Sequence, residues 1–362
     1  MFTAFDHLMM AHALRQAEQS LYITSPNPRV GCVLVHGEQV IGEGATQPAG
    51  CDHAEIQALK DCHARELTAD GATAYVTLEP CSHFGRTPPC ADALLRAGVR
   101  RVVVAMIDPN PLVAGKGVAL LRQQGVEVAT GLLAEQAREL NLGFASRMER
   151  GRPWVRLKLA ASVDGKTALA NGVAKWITGV AARTDVHHWR ARSCAILTGS
   201  GTILADDPEL NVRLVDTPRQ PLRVVIDSQL RTPAHARIAT PGTLFVCAAA
   251  AQPRADALQL RGCEVRVLED QSGRVDLAAL MPVLAQYGCN ELMVESGAGL
   301  AGALLQQGLV DELLLYQATV LLGSGARGLV ELPNLTDMTQ RIELRLHDLR
   351  QVGQDIRTIY RL

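Results

Sequence analysis

The sequence contains few aromatic residues and no excess of charge of either sign, and both absences limit its function. Phe, Trp and Tyr together make up 4% of the 362 residues. Lys and Arg number 36 against 37 for Asp and Glu. Proteins that bind single-stranded nucleic acid stack bases on aromatic side chains, and nucleic-acid binders usually carry a basic surplus. The composition therefore disfavours a nucleic-acid partner.

Long apolar runs and export signals are also missing. No stretch approaches the roughly 18 apolar residues that a membrane-spanning helix requires. The N-terminal segment, MFTAFDHLMMAHALRQAEQ, contains Asp6 and His7 and lacks a basic start and a cleavage site, so it predicts an amphipathic helix and no signal peptide. Nine scattered cysteines, an odd number, do not form a disulfide framework. We expect a cytoplasmic protein with reduced thiols and no membrane association.

The first part of the chain alternates predicted helices and strands. A chain of this length usually forms two or more domains. The predicted elements are a helix at 6–19, a hairpin around HGEQ, a helix at 53–65, a strand at 73–78, a helix at 89–97, a strand at 100–107, a helix at 115–124, the strand VEVAT and a helix at 134–148. This order indicates crossover units and a largely parallel sheet covered on both faces.

A polar segment with Gly and Pro, MERGRPWV, interrupts the periodicity and predicts a domain boundary. We therefore expect one domain at 1–148, a linker at 149–152 and a second domain at 153–362. Short strand patterns and helical stretches alternate in the second domain, which indicates another α/β fold. Its last segment alternates twice around QVGQD, so the sheet is expected to end in an antiparallel hairpin.

A histidine, a glutamate and two cysteines in the first domain have the spacing of a catalytic zinc site. They lie in DHAEI at 52–56 and LEPCSHFGRTPPC at 78–90. His53, Cys81 and Cys90 supply three ligands, which leaves a fourth position for water. Zinc lowers the pKa of that water from about 15.7 to around 7. Glu55, two residues after His53, can shuttle its proton to a leaving nitrogen, as in zinc nucleobase deaminases.

Two other interpretations of these residues remain open from the sequence. The cysteines could be ordinary core residues, as we expect for Cys32, Cys51 and Cys62. Alternatively, Cys51 or His83 could complete a purely structural site with four protein ligands. The catalytic interpretation is favoured because a structural site would leave Glu55 and the strand before EPC without a role.

The insert between the two cysteines identifies a particular family. Eight residues, SHFGRTPP, separate them where simple deaminases have two. Together with NPRVGCVLV and DPNPLVAGKG, this motif resembles the bifunctional riboflavin-biosynthesis proteins, in which a pyrimidine deaminase is fused to a reductase. The resemblance covers nearly the whole chain. It implies a cytidine-deaminase-like three-layer α/β/α domain followed by a dihydrofolate-reductase-like α/β domain.

The resemblance also implies the substrate of the first domain, a diaminopyrimidinone with a ribosylamino 5′-phosphate that loses its 2-amino group as ammonia. Arg86 suits the phosphate because guanidinium binds phosphate well, although it could be an ordinary loop arginine. Asn27, between two prolines, could read the pyrimidine edge or simply form a turn. The chain departs from the family at Thr46, where relatives often carry His.

Glycines follow several predicted strands of the second domain, most clearly in VESGAGLAGALL at 294–305. The pattern predicts a strand, a glycine turn and a helix, and such a turn can bind phosphate through backbone N–H groups. Glycine turns of this kind are also routine, so the pattern alone is a weak signal.

The family resemblance extends through VRLKLAASVDGKTA, KWITG, HHWRARSCAILTGSGTILADDPELNVR and VVIDSQLRTP. It implies that the second domain uses NADPH to reduce the ribosyl group to a ribityl chain. The residues that the resemblance places against the cofactor are Ala160, Trp176, Thr202, Asp206, Ser228, Gly297, Ala298, Gly299, Leu300, Ala301, Gly302 and Ala303.

The same resemblance assigns substrate contacts in the second domain to Arg190, Leu210, Arg213 and Glu295. Lys158 and Asp206 are the ionisable groups that we expect to test for proton delivery to the sugar ring oxygen; a surface salt bridge is the alternative. Ala174 departs from the family, since relatives often have Ser there.

Two alternative functions follow from the first domain alone. Deaminases of this fold also act on RNA, so the chain could be a nucleic-acid or free-nucleobase deaminase with a non-catalytic second domain. It could also be a scaffold that zinc only stabilises. The leading prediction is a two-step enzyme with one zinc ion per deaminase domain, a small phosphorylated pyrimidine as substrate and a dimeric or tetrameric assembly.

Overall fold

The computed structural model describes residues 2–82, 88–111, 113–174, 176–249 and 252–362. The chain divides into two compact units, Met1–Gly151 and Arg152–Leu362. The predicted linker is partly helical, because the last helix of the first unit continues to Arg150. Among the described residues, no helix has both the length and the apolar character to cross a bilayer.

The first unit follows the predicted order of elements closely. Its helices and strands are α1 (Ala4–Glu18), β1 (Gly31–His36), β2 (Gln39–Ala45), α2 (Ala54–Ala64), β3 (Thr73–Leu78), α3 (Cys90–Arg96), β4 (Arg101–Met106), α4 (Lys116–Gln123), β5 (Glu127–Thr130), α5 (Ala134–Leu140) and α6 (Leu142–Arg150).

The prediction of a single helix at 134–148 was wrong, because the structure has two helices that meet at Asn141. The Asn141 amide exchanges two hydrogen bonds of 2.8 Å with the backbone of Arg29. Asn141 has a non-helical backbone, with φ −116° and ψ 19°. This long-range contact ends one helix and starts the next.

The sheet of the first unit has the order β2-β1-β3-β4-β5. The pairs β3–β4 and β4–β5 are parallel, whereas β1 is antiparallel to both β2 and β3. The expectation of a largely parallel sheet was therefore wrong, because the predicted hairpin enters the same sheet. Consecutive residues of β3 and β4 are buried, so both faces of these central strands are covered.

Glycines in β2 allow α2 to lie directly on the sheet. A Cβ atom at Gly42 would lie 2.3 Å from the carbonyl oxygen of Ala58, and one at Gly44 would lie 2.6 Å from the nitrogen of Ala58. Neither distance is possible between real atoms, so a side chain at either position would push the helix away. The close packing fixes α2, whose N-terminus carries His53 and Glu55.

The second unit is built around one large sheet. Its elements are β6 (Trp154–Ser162), β7 (Lys166–Ala168), α7 (Val180–Arg192), β8 (Ala195–Gly199), α8 (Ser200–Asp206), β9 (Leu222–Ile226), β10 (Thr243–Cys247), α9 (Gln252–Leu260), β11 (Glu264–Val267), α10 (Leu277–Gln286), β12 (Glu291–Glu295), α11 (Ala298–Gln306), β13 (Glu312–Ala318), β14 (Arg327–Gly328), a 3₁₀ turn at Met338–Gln340, β15 (Arg345–Val352) and β16 (Asp355–Arg361).

The nine strands of this sheet have the order β11-β10-β9-β8-β12-β6-β13-β16-β15. All pairs from β11 to β13 are parallel, and β16 then runs antiparallel to both β13 and β15. The antiparallel C-terminal hairpin was predicted and is confirmed. Neighbouring residues such as Val224 and Val225 belong to different apolar clusters, so each face of the sheet has its own core.

A network of buried charges lies within this second unit. The guanidinium of Arg156 is fully buried and pairs with the carboxylates of Glu291, at 2.9 Å, and Glu312. Arg192 also pairs with Glu291 at 2.7 Å, and Arg361 pairs with Glu312 at 3.0 Å. Each carboxylate therefore has a second cation, which offsets part of the cost of burying the ions.

We predict that Arg156→Met destabilises the second unit by about 3 kcal/mol. Removal of one partner of a buried ion pair typically costs about 3–5 kcal/mol, and the second arginines keep the loss near the lower end. The free energy of unfolding can be measured in urea by tryptophan fluorescence. The signal reports on this unit alone, because all three tryptophans of the chain lie in it.

Arg350→Met is a suitable control for that measurement. Arg350 pairs with Asp348 at the exposed edge strand β15, and its side chain is 68% exposed. Exposed ion pairs contribute little to stability, so this variant should unfold like the wild type. Equal stabilities of the Arg156 variant and this control would contradict the structural importance of the buried network.

Candidate functional site

Three side chains from separate segments of the first unit bring their donor atoms together. His53 immediately precedes α2, Cys81 follows β3, and Cys90 is the first residue of α3. The three donor atoms all lie within 4.8 Å of one another. Nδ1 of His53 lies 3.7 Å from the sulfur of Cys81 and 3.4 Å from that of Cys90. The structure thus brings together the three residues predicted as ligands.

The spacing of these atoms fits a tetrahedral zinc ion. In a tetrahedral site, ligand bonds of about 2.3 Å to sulfur and about 2.0 Å to nitrogen separate the two ligand atoms by about 3.5 Å. The observed sulfur–nitrogen distances of 3.7 and 3.4 Å lie on either side of that value. The donor set, one imidazole and two thiols, is also one that zinc prefers.

The electrostatics of the group favour thiolate at Cys81. Its sulfur accepts a hydrogen bond of 3.3 Å from the backbone N–H of Cys90. Contact with the Cys90 thiol, and then with His53, lowers the pKa of Cys81 to about 4 although burial opposes this. Hydrogen bonding to Cys81 and burial raise the pKa of Cys90, and the contact with Cys81 raises the pKa of His53.

Glu55 lies beside the donor group and is almost completely buried, with 3% of its surface exposed. It belongs to the first turn of α2, two residues after His53. Burial, and then the neighbouring Cys81, raise the pKa of its carboxyl group to about 7. Within the part of the chain that the structure describes, Glu55 is not one of the grouped donors. A carboxyl group so located can exchange protons beside the metal position.

From the sequence, Cys51 or His83 could be a fourth protein ligand, and the structure bears on the first of these two residues. Cys51 is exposed, so the expectation that it is a core residue was wrong, and it does not belong to the donor group of the described residues. His83 lies outside the described residues, as does Arg86, the predicted phosphate contact. All nine cysteines are free thiols. Among the described residues, the site therefore has three ligands.

The other predicted substrate residue of this domain, Asn27, lies in the segment between α1 and β1 and is half-buried. Its backbone N–H donates to the carbonyl of Thr24 at 2.8 Å. Thr46, where relatives often have His, is buried just after β2, and its hydroxyl donates to the carbonyl of Val30 at 3.4 Å. The Thr46 hydroxyl therefore already has a hydrogen-bond partner within the protein.

In the second unit, Lys158, Arg190 and Glu295 form a second cluster of charges. Lys158 on β6 is paired in register with Glu295 at the end of the neighbouring strand β12. Arg190 on α7 binds Glu295 through two hydrogen bonds of 2.6 and 3.0 Å. The structure thus brings together three residues that were predicted to contact substrate.

The pKa values of this cluster differ from the ordinary ones. Burial, the largest effect, and then Arg190 lower the pKa of Lys158, although Glu295 opposes the change. Burial alone would raise the pKa of Glu295, but Arg190 outweighs it and lowers the value to about 2. Among the described residues, no carboxylate lies within ion-pair distance of Lys158, so the surface salt bridge considered for it is absent. This half-buried lysine therefore loses its proton more readily than an exposed lysine.

The segment at 210–213 is held against helix α7 next to that cluster. Leu210 is buried with φ +48°, and the guanidinium of Arg190 donates to the carbonyl of Asn211 at 2.9 Å. The backbone N–H of Arg213 donates to Nδ1 of His187 at 3.1 Å. The predicted residues Arg190, Leu210 and Arg213 are therefore parts of one local structure.

His187 was missed by the sequence analysis. It is buried on α7, one turn before Arg190, and its Nδ1 acts as an acceptor. Burial, followed by the charges of Arg190 and Arg213, lowers its pKa to about 4, so the imidazole is neutral. The only signal in the sequence was its spacing of three residues from Arg190, which puts both on one helix face.

Most of the residues predicted to face a cofactor belong to segments at or after the carboxyl ends of neighbouring parallel strands. Gly297 is the N-cap of α11, directly after β12, and the six residues from Ala298 to Ala303 form its first turns rather than a loop. A Cβ atom at Gly297 would meet nothing within 4 Å. The predicted strand, turn and helix are thus confirmed.

The remaining predicted cofactor residues belong to the adjoining segments. Ala160 is in β6, Thr202 and Asp206 are in α8 directly after β8, and Ser228 follows β9. The Ser228 hydroxyl accepts from the backbone N–H of Val275 at 3.3 Å. Asp206 is exposed at the end of α8, and the ring of Trp176, 71% exposed, is stacked by Arg183. Among the described residues, no hydrogen bond or ion pair joins Asp206 to Lys158, the other candidate proton donor.

Comparison with known proteins covers both units. Residues 3–106 match the cytidine and deoxycytidylate deaminase zinc-binding region, and residues 153–358 match the RibD C-terminal domain. The riboflavin biosynthesis protein RibD of Escherichia coli (strain K12) is 47% identical over 97% of this chain and 98% of its own. That of Haemophilus influenzae is 46% identical over 99% and 98%.

Solved structures agree with the sequence relatives. RibD of Acinetobacter baumannii superposes with a TM-score of 0.89 at 45% identity over 99% of this chain and 98% of its own. The diaminohydroxyphosphoribosylaminopyrimidine deaminase/5-amino-6-(5-phosphoribosylamino)uracil reductase of Thermotoga maritima has a TM-score of 0.87 at 29% identity over 99% and 98%. The first unit thus has a cytidine-deaminase-like fold and the second the dihydrofolate-reductase-like fold of the RibD reductase domain. The chain belongs to the RibD family of riboflavin biosynthesis proteins, in which a deaminase domain precedes a reductase domain.

Proposed function

We propose that this chain carries out two successive steps on one small phosphorylated pyrimidine. The first domain would hydrolyse the 2-amino group of 2,5-diamino-6-(5-phosphoribosylamino)pyrimidin-4(3H)-one, and the second would reduce the ribosyl group of the product to ribityl with NADPH. As a member of the family the chain is a deaminase and reductase of riboflavin biosynthesis. The observation that carries the specific proposal is the three-donor group with a buried, non-ligating carboxyl group beside it.

The deaminase step would rest on His53, Cys81 and Cys90 as ligands of one zinc ion. When bound by these three ligands, zinc would act as a Lewis acid that lowers the pKa of water at its open position toward neutrality. Glu55 would accept the proton that the water loses and deliver it to the departing amino nitrogen. Water and the C–NH₂ group are thereby exchanged for a carbonyl group and ammonia.

Burial of Glu55 supports this role. A catalytic acid and base works best with a pKa near the working pH, and burial moves a carboxyl group in that direction. The substrate contacts proposed for this domain are the Asn27 amide with the pyrimidine edge and Arg86 with the phosphate. The buried hydroxyl of Thr46 already donates to the chain itself, so we do not include it among them.

The reductase step would use the cluster formed by Lys158, Arg190 and Glu295. When bound, NADPH would supply a hydride to C1′ of the ring-opened sugar. Glu295, oriented by two hydrogen bonds from Arg190, would accept hydrogen bonds from sugar hydroxyls. Leu210 and Arg213 lie on the segment that Arg190 holds, and Arg190 with Arg213 would clamp the phosphate.

Lys158 is the better of the two proposed proton donors. Its amino group is half-buried beside Glu295, and burial lowers its pKa, so it releases a proton more readily than an exposed lysine. Asp206 is exposed at the end of α8. As the sugar ring opens, the proton of Lys158 would pass to the ring oxygen.

The proposed cofactor contacts are those of Ala160, Trp176, Thr202, Asp206, Ser228 and the residues from Gly297 to Ala303. Ligands of open α/β sheets bind outside the carboxyl ends of parallel strands, which is where most of these residues lie. The open space at Gly297 and the free backbone N–H groups at the start of α11 suit a phosphate group.

The nucleic-acid deaminase with an inert second domain is not supported. The RibD C-terminal domain match spans residues 153–358, and full-length relatives carry both domains. The balanced charge of the chain agrees with a small-molecule substrate. Assembly into a dimer or tetramer and a cytoplasmic location stay predictions.

We predict that Glu55→Gln abolishes deamination while zinc stays bound. Loss of a general acid and base typically lowers the rate by a factor of about 10²–10⁴, and the three ligands remain. Ammonia release and metal content should be measured on the same preparation. Reduction of deaminated substrate, followed at the NADPH absorbance band, should continue at the wild-type rate.

Cys81→Ser is the matching control because it removes a ligand and should lower both zinc content and ammonia release. A Glu55→Gln protein that keeps its zinc and deaminates at the wild-type rate would refute the proposed mechanism. That outcome would support a role for zinc in stability alone.

We predict that Lys158→Met lowers the reductase turnover number by a factor of about 10² or more. Methionine nearly fills the volume of the lysine side chain but cannot donate a proton. The assay follows NADPH oxidation with deaminated substrate, and ammonia release serves as the control for the first domain. Asp206→Asn should have a much smaller effect; the reverse order would assign proton delivery to Asp206.

The reductase rate should also depend on pH, and the protonation of Lys158 determines whether the rate rises or falls. Protonated Lys158 is the active form, so activity should be full at low pH and lost as the pH rises through its pKa. Burial puts that pKa below the ordinary value of 10.5. The alkaline loss of activity should therefore begin below that pH, and it should be absent from the residual activity of Lys158→Met.

A further inference from the structure

Glu79 has a role in the first domain that the proposed chemistry does not include. It follows β3 directly, two residues before Cys81, and only 4% of its surface is exposed. Both carboxylate oxygens accept backbone hydrogen bonds from a segment more than 25 residues away in the chain. The donors are the N–H groups of Asp108 at 3.2 Å, Gly115 at 2.9 Å, Gly117 at 2.9 Å and Val118 at 3.1 Å.

These contacts make Glu79 the cap of helix α4. The helix begins after Gly115, which has φ +78° and offers no side chain to its own first turn. The first N–H groups of a helix have no partner within the helix and need acceptors from elsewhere. Glu79 provides them, and its negative charge also suits the positive end of the helix dipole.

A close backbone contact joins the same two segments. A Cβ atom at Gly117 would lie 2.0 Å from the carbonyl oxygen of Pro80, which is far too short for any side chain. The first turn of α4 therefore lies directly on the residue between Glu79 and Cys81. The backbone N–H of Glu79 also donates to the carbonyl of Met106 at 3.0 Å.

Cys81 is held from the other side by α3. Its carbonyl accepts from the N–H of Ala91 at 3.1 Å, and its sulfur accepts from the N–H of Cys90 at 3.3 Å. The turn that carries the sulfur is thus fixed between α3, which provides a ligand, and α4, which provides none. Only the α4 side depends on Glu79.

We infer that Glu79 is a positioning residue for the metal centre: by capping α4 it fixes the turn that directs the Cys81 sulfur toward His53. This inference rests on the proposed zinc site and adds a residue, and a helix, on which its affinity depends. Outer contacts that orient metal ligands typically change metal affinity by a factor of about 10–100 when they are removed.

Glu79→Gln is the most direct variant. It keeps the size of the side chain but replaces one acceptor oxygen with an NH₂ group. Two of the four backbone N–H groups would then face a donor and lose their partner. We expect zinc affinity, measured by competition with a chromophoric chelator, to fall at least about 10-fold.

The control is Asp6→Asn in the same domain. Asp6 is buried like Glu79 and accepts from the hydroxyl of Tyr75 at 2.8 Å and from Arg101 at 2.7 Å, but it bonds no residue of the metal site. It should lower the melting temperature of the metal-free protein and leave zinc affinity unchanged. If Glu79→Gln behaves in the same way, its role is merely structural and the inference is overturned.

A measurement on the wild type tests the inference even if Glu79→Gln does not fold. Coupling between two sites is reciprocal, so zinc must stabilise the cap of α4 if that cap stabilises the zinc site. Removal of zinc should therefore speed amide hydrogen exchange at 115–118, which a mass spectrometer can follow. Unchanged exchange at 115–118, with faster exchange around Cys90, would refute the coupling.

The outcomes separate this inference from the proposed function. A wild-type protein that binds no zinc at all would refute the deaminase proposal itself. Normal zinc binding and ammonia release by the wild type, together with the same zinc affinity in Glu79→Gln, would refute only the role of Glu79.

Discussion

The two sulfurs of Cys81 and Cys90 lie side by side with an imidazole in the interior of the first domain, and much of its structure serves to hold them there. Two buried thiolates would repel each other, so the group favours one thiolate and one thiol until a cation is present. The protein keeps the donor atoms close by backbone geometry: the start of α2 carries His53, the end of β3 leads to Cys81, and the start of α3 carries Cys90.

The charge cluster of the second domain differs from the metal group of the first in its balance of charges. Two cations, Arg190 and Lys158, lie near one carboxylate, Glu295, and only Arg190 forms an ion pair with it, so the cluster retains a positive charge. Burial of such an excess is costly unless an anion compensates it, and a phosphorylated substrate would do so. The neutral His187 beside Arg190 adds no further charge, while its Nδ1 holds the backbone of Arg213. The cluster therefore suits the anionic ligand and the proton transfer that we propose for this half-buried site.

The parts of the structure that the sequence predicted are those with local signals. Strand and helix patterns located nearly every element of the first domain, and the spacing of His53, Cys81 and Cys90 revealed the metal group because each residue lies at the end of such an element. Glu79 and His187 were missed because their partners, Gly117 and Arg213, are 38 and 26 residues away. The break at Asn141 depends in the same way on Arg29, at a separation of 112 residues. Contacts of this kind leave no periodic trace in a single sequence.

In both domains the candidate chemistry lies at the carboxyl ends of parallel strands, and the reason is physical. Residues at these ends are free of the sheet's hydrogen bonds, while the adjoining helices begin there and direct their N–H groups and positive dipole ends toward the same edge. In the first domain this edge holds Glu79, whose carboxylate caps α4. In the second, α11 begins beyond β12 with no side-chain cap at Gly297. One helix start is thus satisfied within the protein and supports a rigid metal centre, whereas the other keeps its N–H groups available to a ligand.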